Sequence, residues 1–362
     1  MKKYFLSLLA ILSIVPMYAI KASELKYYDM SKFPLLGTLA PDAKKAYSRL
    51  PDTLESKVRK DVWNLGKDAA GLAVRFRSDA SAIGADWTSM LRFNMNHMTA
   101  AGIRGLDLYV LEDGKWTTVS SARPSFNDKH TRTLVISDMT PKMREYMLYL
   151  SLYDGVDSLS IGVDSTAVIL PPAVESPRRD KPIIMYGTSI LQGGCASRPG
   201  MVHTSILGRM LDREVINLGF SGNAKLDPEI AELIASAKDP GVVVIDALPN
   251  CKTPEIKERM KPFYEIIRKA HPEVPIVFVE SPIFPLMRFN NETLETIGEK
   301  NRTLRAIYDE IAKDDANVAY FPGEKILGDC VEGTVDNYHF TDLGFTVFAN
   351  NLYPLLKSLL GD

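Results

Sequence analysis

A change of rhythm about halfway along the chain is the feature that most limits what it can fold into. Up to residue 170 the apolar runs are short: GLAVRF (71–76), GLDLYVL (105–111), TRTLVIS (131–137), YMLYLSLY (146–153) and SLSIGV (158–163). Turn-forming clusters such as EDGK and FNDK separate them. Short strands at this spacing predict an antiparallel sandwich over residues 24–170. A helical stretch near 42–64, broken by Pro51, is expected at its start. LPPAVESPRRDKP (170–182) then carries four prolines and a charge cluster. Proline lacks a ladder donor and disfavours helix before it, so residues 171–181 read as an extended linker.

Beyond the linker, over 182–362, strand and helix candidates alternate. The strands fall at 182–186, 214–218, 241–247, 275–280 and 317–321, and the helices near 201–211, 227–237, 254–270, 291–313 and 341–358. That alternation predicts a parallel sheet covered on both faces. GVVVIDAL has the unbroken apolar character of a strand buried on both sides. Asp227 followed by Pro228 is the expected start of a helix. Ligands of such sheets bind at the carboxyl ends of the strands.

The amino terminus is of another kind. Lys2 and Lys3 precede the apolar run YFLSLLAILSIVPMYAI, which gives way to the small residues Ala22 and Ser23. A basic start, a short apolar segment and a small-residue exit describe a secretory signal over residues 1–22, favoured over an uncleaved anchor. The expected compartment is therefore extracellular or periplasmic, with no stable membrane span after cleavage. A net charge of −2 in 362 residues offers no footprint for nucleic acid. The odd cysteine count, Cys195, Cys251 and Cys330, leaves at least one thiol outside any internal disulfide, and the spacing matches no zinc motif. A Cys251–Cys330 bridge is one possible pairing.

Polar residues gather where the strands of the second half end. Ser189 follows the first of them, in YGTSI; the elbow pattern Gly-x-Ser-x-Gly is broken by Leu191. Gly222, in GFSGNA, offers a backbone N–H that no side chain screens. Asn250, in ALPNC, has an amide able to donate to an oxyanion. Asp336 and His339, in VDNYHF, precede the last helix, whose cap is expected at Thr341 or Asp342. An imidazole can take a serine proton near neutral pH, and a nearby carboxylate can hold its tautomer. Each segment alone is equally compatible with a turn, a cap or a solvated loop. Arg198 is a candidate for contact with a polar substrate, with a structural salt bridge as the alternative. Structural or exposed positions are expected for His97, His130, His203 and His271. A domain-packing role is expected for Asp107 and Tyr109.

Taken in order, serine, glycine, asparagine and Asp-x-x-His resemble the four blocks of the SGNH (GDSL-type) hydrolases. Thr188 replaces the usual acid of the first block, and Pro249–Asn250 replaces the commoner Gly-x-Asn-Asp of the third. GTS, GGCASRPGM and LPN resemble one bacterial subgroup, and GLDLY (105–109) is similar to the Gly-x-Asp-Leu-Tyr mark of that subgroup's N-terminal β domain. The resemblance implies a flavodoxin-like doubly wound parallel sheet preceded by a jelly-roll-like sandwich. It implies Ser189 as nucleophile, His339 as base and Asp336 as its orienter. Ser189, Gly222 and Asn250 would form the oxyanion hole, and neither metal nor cofactor is required. The implied activity is hydrolysis of small acyl esters, O-acetyl groups on carbohydrate foremost, with an acylated small molecule or polysaccharide as partner. A thioesterase or lysophospholipase activity, or a glycan-binding protein with an idle site, are the alternatives.

Overall fold

The computed structural model describes residues 20–40, 43–44 and 47–361. Residues 1–19 of the expected signal segment and part of the 42–64 stretch lie outside them.

The N-terminal β domain is built from two antiparallel sheets. In one, the order is Lys26–Asp29, Val156–Val163, Ile83–Ser89, His130–Ile136. In the other it is Ile169–Leu170, Ala73–Ser78, Arg144–Tyr149, Leu106–Glu112, Lys115–Ala122, with Leu35–Leu36 also paired to Ala73–Ser78. Alternate residues of these strands, including Phe76, Trp87, Leu108, Tyr146 and Ile161, fill the space between the sheets. Such alternation is what a two-layer sandwich requires. The second sheet is also covered on its outer face, where Tyr109, Met147 and Tyr149 form a smaller cluster. The Tyr149 hydroxyl reaches the Ser205 carbonyl of the second half at 3.4 Å, so that outer face is a domain boundary rather than solvent.

The second half forms a five-stranded parallel sheet in the order Arg213–Gly219, Arg178–Gly187, Val242–Asp246, Ile276–Val279, Val318–Phe321. Numbered along the chain, this is 2-1-3-4-5, the flavodoxin-like order, in which the winding direction reverses between the first and third strands. One face packs on Leu207, Phe345, Phe348 and Leu352, the other on Ile230, Met260, Phe263 and Ile267. Met260, Phe263, Tyr264 and Ile267 fall at helical spacing along Thr253–Ala270 and give that helix its buried stripe.

Three details depart from expectation. The linker is shorter than the prolines suggest: Ile169–Leu170 pairs with Arg77 and Ser78, and Arg178–Lys181 extends the first parallel strand, Arg178 pairing with Arg213. Among its described residues the early helical stretch forms a 3₁₀ turn at Asp52–Leu54 and a helix at Lys60–Gly66. Just ahead of them the chain stays irregular to bury Arg49, which donates to the carbonyls of Asp68 (2.8 Å), Asn217 (3.2 Å), Gly219 (2.8 Å) and Leu65 (2.5 Å). Asp227 does stand at the N-cap of Pro228–Ala235, yet its carboxylate accepts from Arg59 instead of the helix amides.

Candidate active site

Ser189 begins the short helix Ser189–Gln192, directly beyond the first parallel strand. The Thr188 hydroxyl accepts from the Ile190 amide at 3.3 Å and fixes the turn. Gly193 follows at φ +107°, a conformation that ends the helix after one turn and favours glycine. Gly187 has no alternative: a Cβ there would lie 2.7 Å from the Asp246 carbonyl. The strand-to-helix turn is thus closed from beneath, and the serine stands at the sheet rim.

His339 arrives from the other end of the chain. The loop carrying it is tied by the Val335 amide donating to the His339 carbonyl at 2.8 Å, and anchored by fully buried Phe340. Thr341 caps Asp342–Leu360 by accepting from the Gly344 amide at 3.2 Å. Within the loop, Asp336 receives the His339 amide (2.7 Å) and the Tyr338 amide (3.1 Å) on Oδ1. Its Oδ2 lies 2.7 Å from His339 Nδ1, and His339 Nε2 lies 2.9 Å from Ser189 Oγ. With Nδ1–H donating to the carboxylate, Nε2 is the acceptor for the serine proton. Partial burial alone would raise the Asp336 pKa, but the hydrogen bonds from His339 outweigh it and hold the carboxyl below its usual range.

Gly222 takes φ +68°, open to solvent, and its amide has no protein acceptor among the described residues. The loop around it is held by Ser221 N–H donating to Gln192 Oε1 (2.9 Å) and Asn223 N–H to the Phe220 carbonyl (2.9 Å). Asn250 closes the 3₁₀ turn Leu248–Asn250. Its Oδ1 accepts from the Ala224 amide at 3.3 Å, which leaves the NH₂ end free to donate to a ligand. The structure therefore places Ser189, His339 and Asp336 in one hydrogen-bonded chain. It ties Asn250 to the loop that carries Gly222.

Arg198 makes the salt bridge that was the alternative to a substrate contact: Nη1 lies 2.6 Å from Asp107 Oδ2 and 2.7 Å from the Tyr109 hydroxyl. Asp107 is fully buried and also accepts the Gly200 amide at 2.9 Å. Burial pushes the Asp107 carboxyl up in spite of these partners. The contact with Arg198 is the one ion pair that the buried carboxylate has among the described residues. The GLDLY strand and the ASRPGM loop thus recognise each other, which agrees with the packing role expected for Asp107 and Tyr109.

The cysteines also differ from expectation. All three are free thiols, and Cys251 donates to the Ala224 carbonyl at 3.4 Å. Burial pushes the Cys195 and Cys251 thiols up to about 12. His203 is a core residue, stacked on Phe348 at 4.5 Å and pulled down to about 3 by burial alone.

Several residues near the site were not read from sequence. The Tyr153 hydroxyl donates to the Ser189 carbonyl at 3.1 Å. Gln192 bridges the Gly222 loop to Asp68, its Nε2 donating to Oδ2 at 2.9 Å. Burial lifts the Asp68 carboxyl to about 7. His97, from the β domain, sets Nε2 3.8 Å from Asp336 Oδ2 and its ring 5.7 Å from that of His339. Asp68, Tyr153 and His97 belong to the β domain, and a signal for them would have required pairing residues across the two halves.

Two clefts adjoin the site. One of 380 Å³ lies between the halves and is lined by Asp61, Asn64, Phe93, Met95, Ser221 and Asn223, among others. The second, of 310 Å³, is lined by Pro249, Phe284, Lys300 and Tyr338 among others. A larger one, of 570 Å³, surrounds the Arg59–Asp227 pair, and no serine, cysteine or histidine lines it, so volume alone points away from the chemistry.

Comparison with known proteins identifies the family and the fold. Residues 180–357 match the model of the GDSL-like lipase/acylhydrolase family, and residues 25–169 match the GxDLY model, the N-terminus of SGNH-hydrolase-type esterases. A protein described as a GDSL-like lipase from Bacteroides ovatus is 31% identical, with a TM-score of 0.88 over 93% of this chain and 98% of its own. The salicylyl-acyltransferase SsfX3 from a tetracycline biosynthetic pathway shares the fold at 16% identity and a TM-score of 0.74, over 93% of this chain and 98% of that one. A family two carbohydrate esterase from Cellvibrio japonicus does so at 14% identity and 0.59, with the same coverage. No curated protein matches.

Proposed function

The chain belongs to the GDSL-like lipase/acylhydrolase family and is a carboxylic ester hydrolase; from that premise we propose that it is a secreted serine esterase removing small acyl groups, chiefly O-acetyl, from carbohydrate. The observation that carries the mechanism is the unbroken relay from Asp336 through His339 to Ser189. In this reading Ser189 Oγ attacks the ester carbonyl while His339 Nε2 takes its proton. The oxyanion that forms is met by the Ser189 and Gly222 amides and the Asn250 NH₂ group. The first amide of a helix has no partner of its own, which suits Ser189 to that task. Collapse expels the alcohol, protonated by His339, and water then repeats the sequence on the acyl-enzyme.

The carbohydrate part of the proposal draws on the cleft between the halves. Phe93, 42% exposed, presents an apolar face, while Asp61, Asn64 and Asn223 offer planar polar groups for hydroxyls. It is also in keeping with the fold shared with a carbohydrate esterase. Among the described residues no helix is long and apolar enough to cross a membrane. Export rests on the basic and apolar start of the chain. The test is hydrolysis of para-nitrophenyl acetate, followed by acetate release from a panel of acetylated polysaccharides. Turnover that persists in Ser189→Ala would overturn the mechanism, and preference for thioesters or lysophospholipids would overturn the substrate.

A further inference from the structure

His97, Cys195 and His339 come from three distant parts of the chain, so no spacing motif announces them. We propose that they form a binding site for a thiophilic divalent cation, with Zn²⁺ as the type, that switches hydrolysis off. One nitrogen from each ring and the Cys195 sulfur all lie within 4.8 Å of one another. Tetrahedral zinc places nitrogen at about 2.0–2.1 Å and thiolate sulfur at about 2.3 Å, so the ligands must close in by about 1 Å. His97 can supply that movement. It lies on the loop before the helix Ala100–Arg104, and its side chain is 31% exposed.

The outer contacts suit the same purpose. Histidine ligands commonly donate their second N–H to a carboxylate or carbonyl, which orients the ring and makes the free nitrogen more basic. Here His339 Nδ1 is held by Asp336 at 2.7 Å and His97 Nδ1 by Asn96 Oδ1 at 3.0 Å. Both Nε2 lone pairs are left to accept. The third ligand is equally constrained. Cys195 has φ +72°, a left-handed backbone that non-glycine residues seldom adopt. The neighbouring Gly194 is pressed against the ring so closely that a Cβ would stand 2.9 Å from His339 Cδ2. The Asp336 carboxylate, 3.8 Å from His97 Nε2, supplies negative charge beside the three ligands.

On binding, the Cys195 thiol loses its proton to solvent as the metal–sulfur bond forms, and the two imidazoles give their Nε2 lone pairs. Water fills the fourth position, and no electron changes hands. The Ser189 hydroxyl loses its acceptor, because the lone pair of His339 is now on the metal. The inhibitory consequence rests on the esterase reading above, whereas the binding does not.

The experiment separates the two. Zn²⁺ affinity is measured on the full chain carrying Ser189→Ala, by competition with a chromophoric chelator, so that no activity is needed. One equivalent is expected to bind at least as tightly as to the native chain, since the hydroxyl no longer competes for Nε2. Adding His97→Ala or Cys195→Ser should weaken binding by at least about tenfold. Co²⁺ should give a thiolate charge-transfer band that Cys195→Ser abolishes. In the otherwise native chain, Zn²⁺ should inhibit and a chelator restore ester hydrolysis. His97→Ala should keep basal turnover within about fivefold, because a 3.8 Å contact between a partly exposed ring and Asp336 contributes little, and resist zinc. Circular dichroism checks folding, with Cys195→Ala in reserve if the serine variant fails. Zinc affinity unchanged by both His97→Ala and the cysteine variant would overturn the site. A native chain that hydrolyses no ester would overturn the function while the chelator competition still decided the binding.

Discussion

Nε2 of His339 lies 2.9 Å from Oγ of Ser189 across 150 residues of sequence, and Asp336 on the far side of the ring completes the line. Groups arranged this way act as one unit, and removing either leaves the other without a task. Ser189→Ala and His339→Ala should each lower turnover of para-nitrophenyl acetate by on the order of a thousandfold or more. The double variant should be little worse than either single one. Additive losses in steady-state kinetics would show that the two do not cooperate.

Among the described residues the Asn250 side chain accepts one long hydrogen bond, from the Ala224 amide at 3.3 Å, so truncating it costs the fold little. Asn250→Ala should reduce kcat about a hundredfold or more while the melting curve hardly moves. Unchanged kcat in a folded variant would remove Asn250 from the oxyanion hole.

The Arg198–Asp107 pair predicts the opposite separation. Breaking a buried ion pair from one side leaves a charge without compensation, which typically costs about 3–5 kcal/mol. The side chain of Arg198 is 25% exposed, so the lower end of that span is expected. Arg198→Ala should lower the thermal midpoint markedly and leave KM for a small ester nearly unchanged. A large rise in KM at unaltered stability would return Arg198 to the substrate.

Asp68 gives a pH dependence of stability. Its carboxyl is raised to about 7 by burial, with Asp154 adding to the effect and Arg49 opposing it. Between the unfolded value near 4 and about 7, the folded state therefore holds a proton that the unfolded chain releases. Stability associated with this group is fully present below that window and is lost as pH rises through it. A tenfold difference in proton affinity between the two states is worth about 1.4 kcal/mol, so the slope is measurable by denaturant titration. Asp68→Asn should flatten it and make the protein more stable than the native chain at pH 8.

The sequence was most legible where the site depends on strand ends. Ser189, Gly222 and Asn250 each follow an apolar run, His339 precedes the last helix, and the alternation of strand and helix locates those elements before any contact is known. The cap at Thr341 was legible for the same local reason. Apart from the packing role of Asp107 and Tyr109, what escaped was what acts across the two halves. Nothing near Arg49 says that its guanidinium will reach Gly219, and nothing near His97 says that it will flank Asp336. Arg198 was left with two readings because a cation close after a nucleophile suits substrate or scaffold equally. Only the depth of Asp107 decides between them. The strands Ile83–Ser89 and Lys115–Ala122 went unread, being interrupted by polar residues that face outward from the sandwich.

The placement of Arg49 also bears on how this architecture can be rearranged. Its guanidinium, drawn down to about 10 by burial, binds two carbonyls at the end of the Arg213–Gly219 strand, just ahead of the Gly222 loop. Removing the chain ahead of Arg178 would unclasp those oxygens and open the sheet edge beneath the Gly222 loop. The front half is thus a keystone and not a cargo module. Transplanting this esterase onto another binding domain would require carrying the keystone with it.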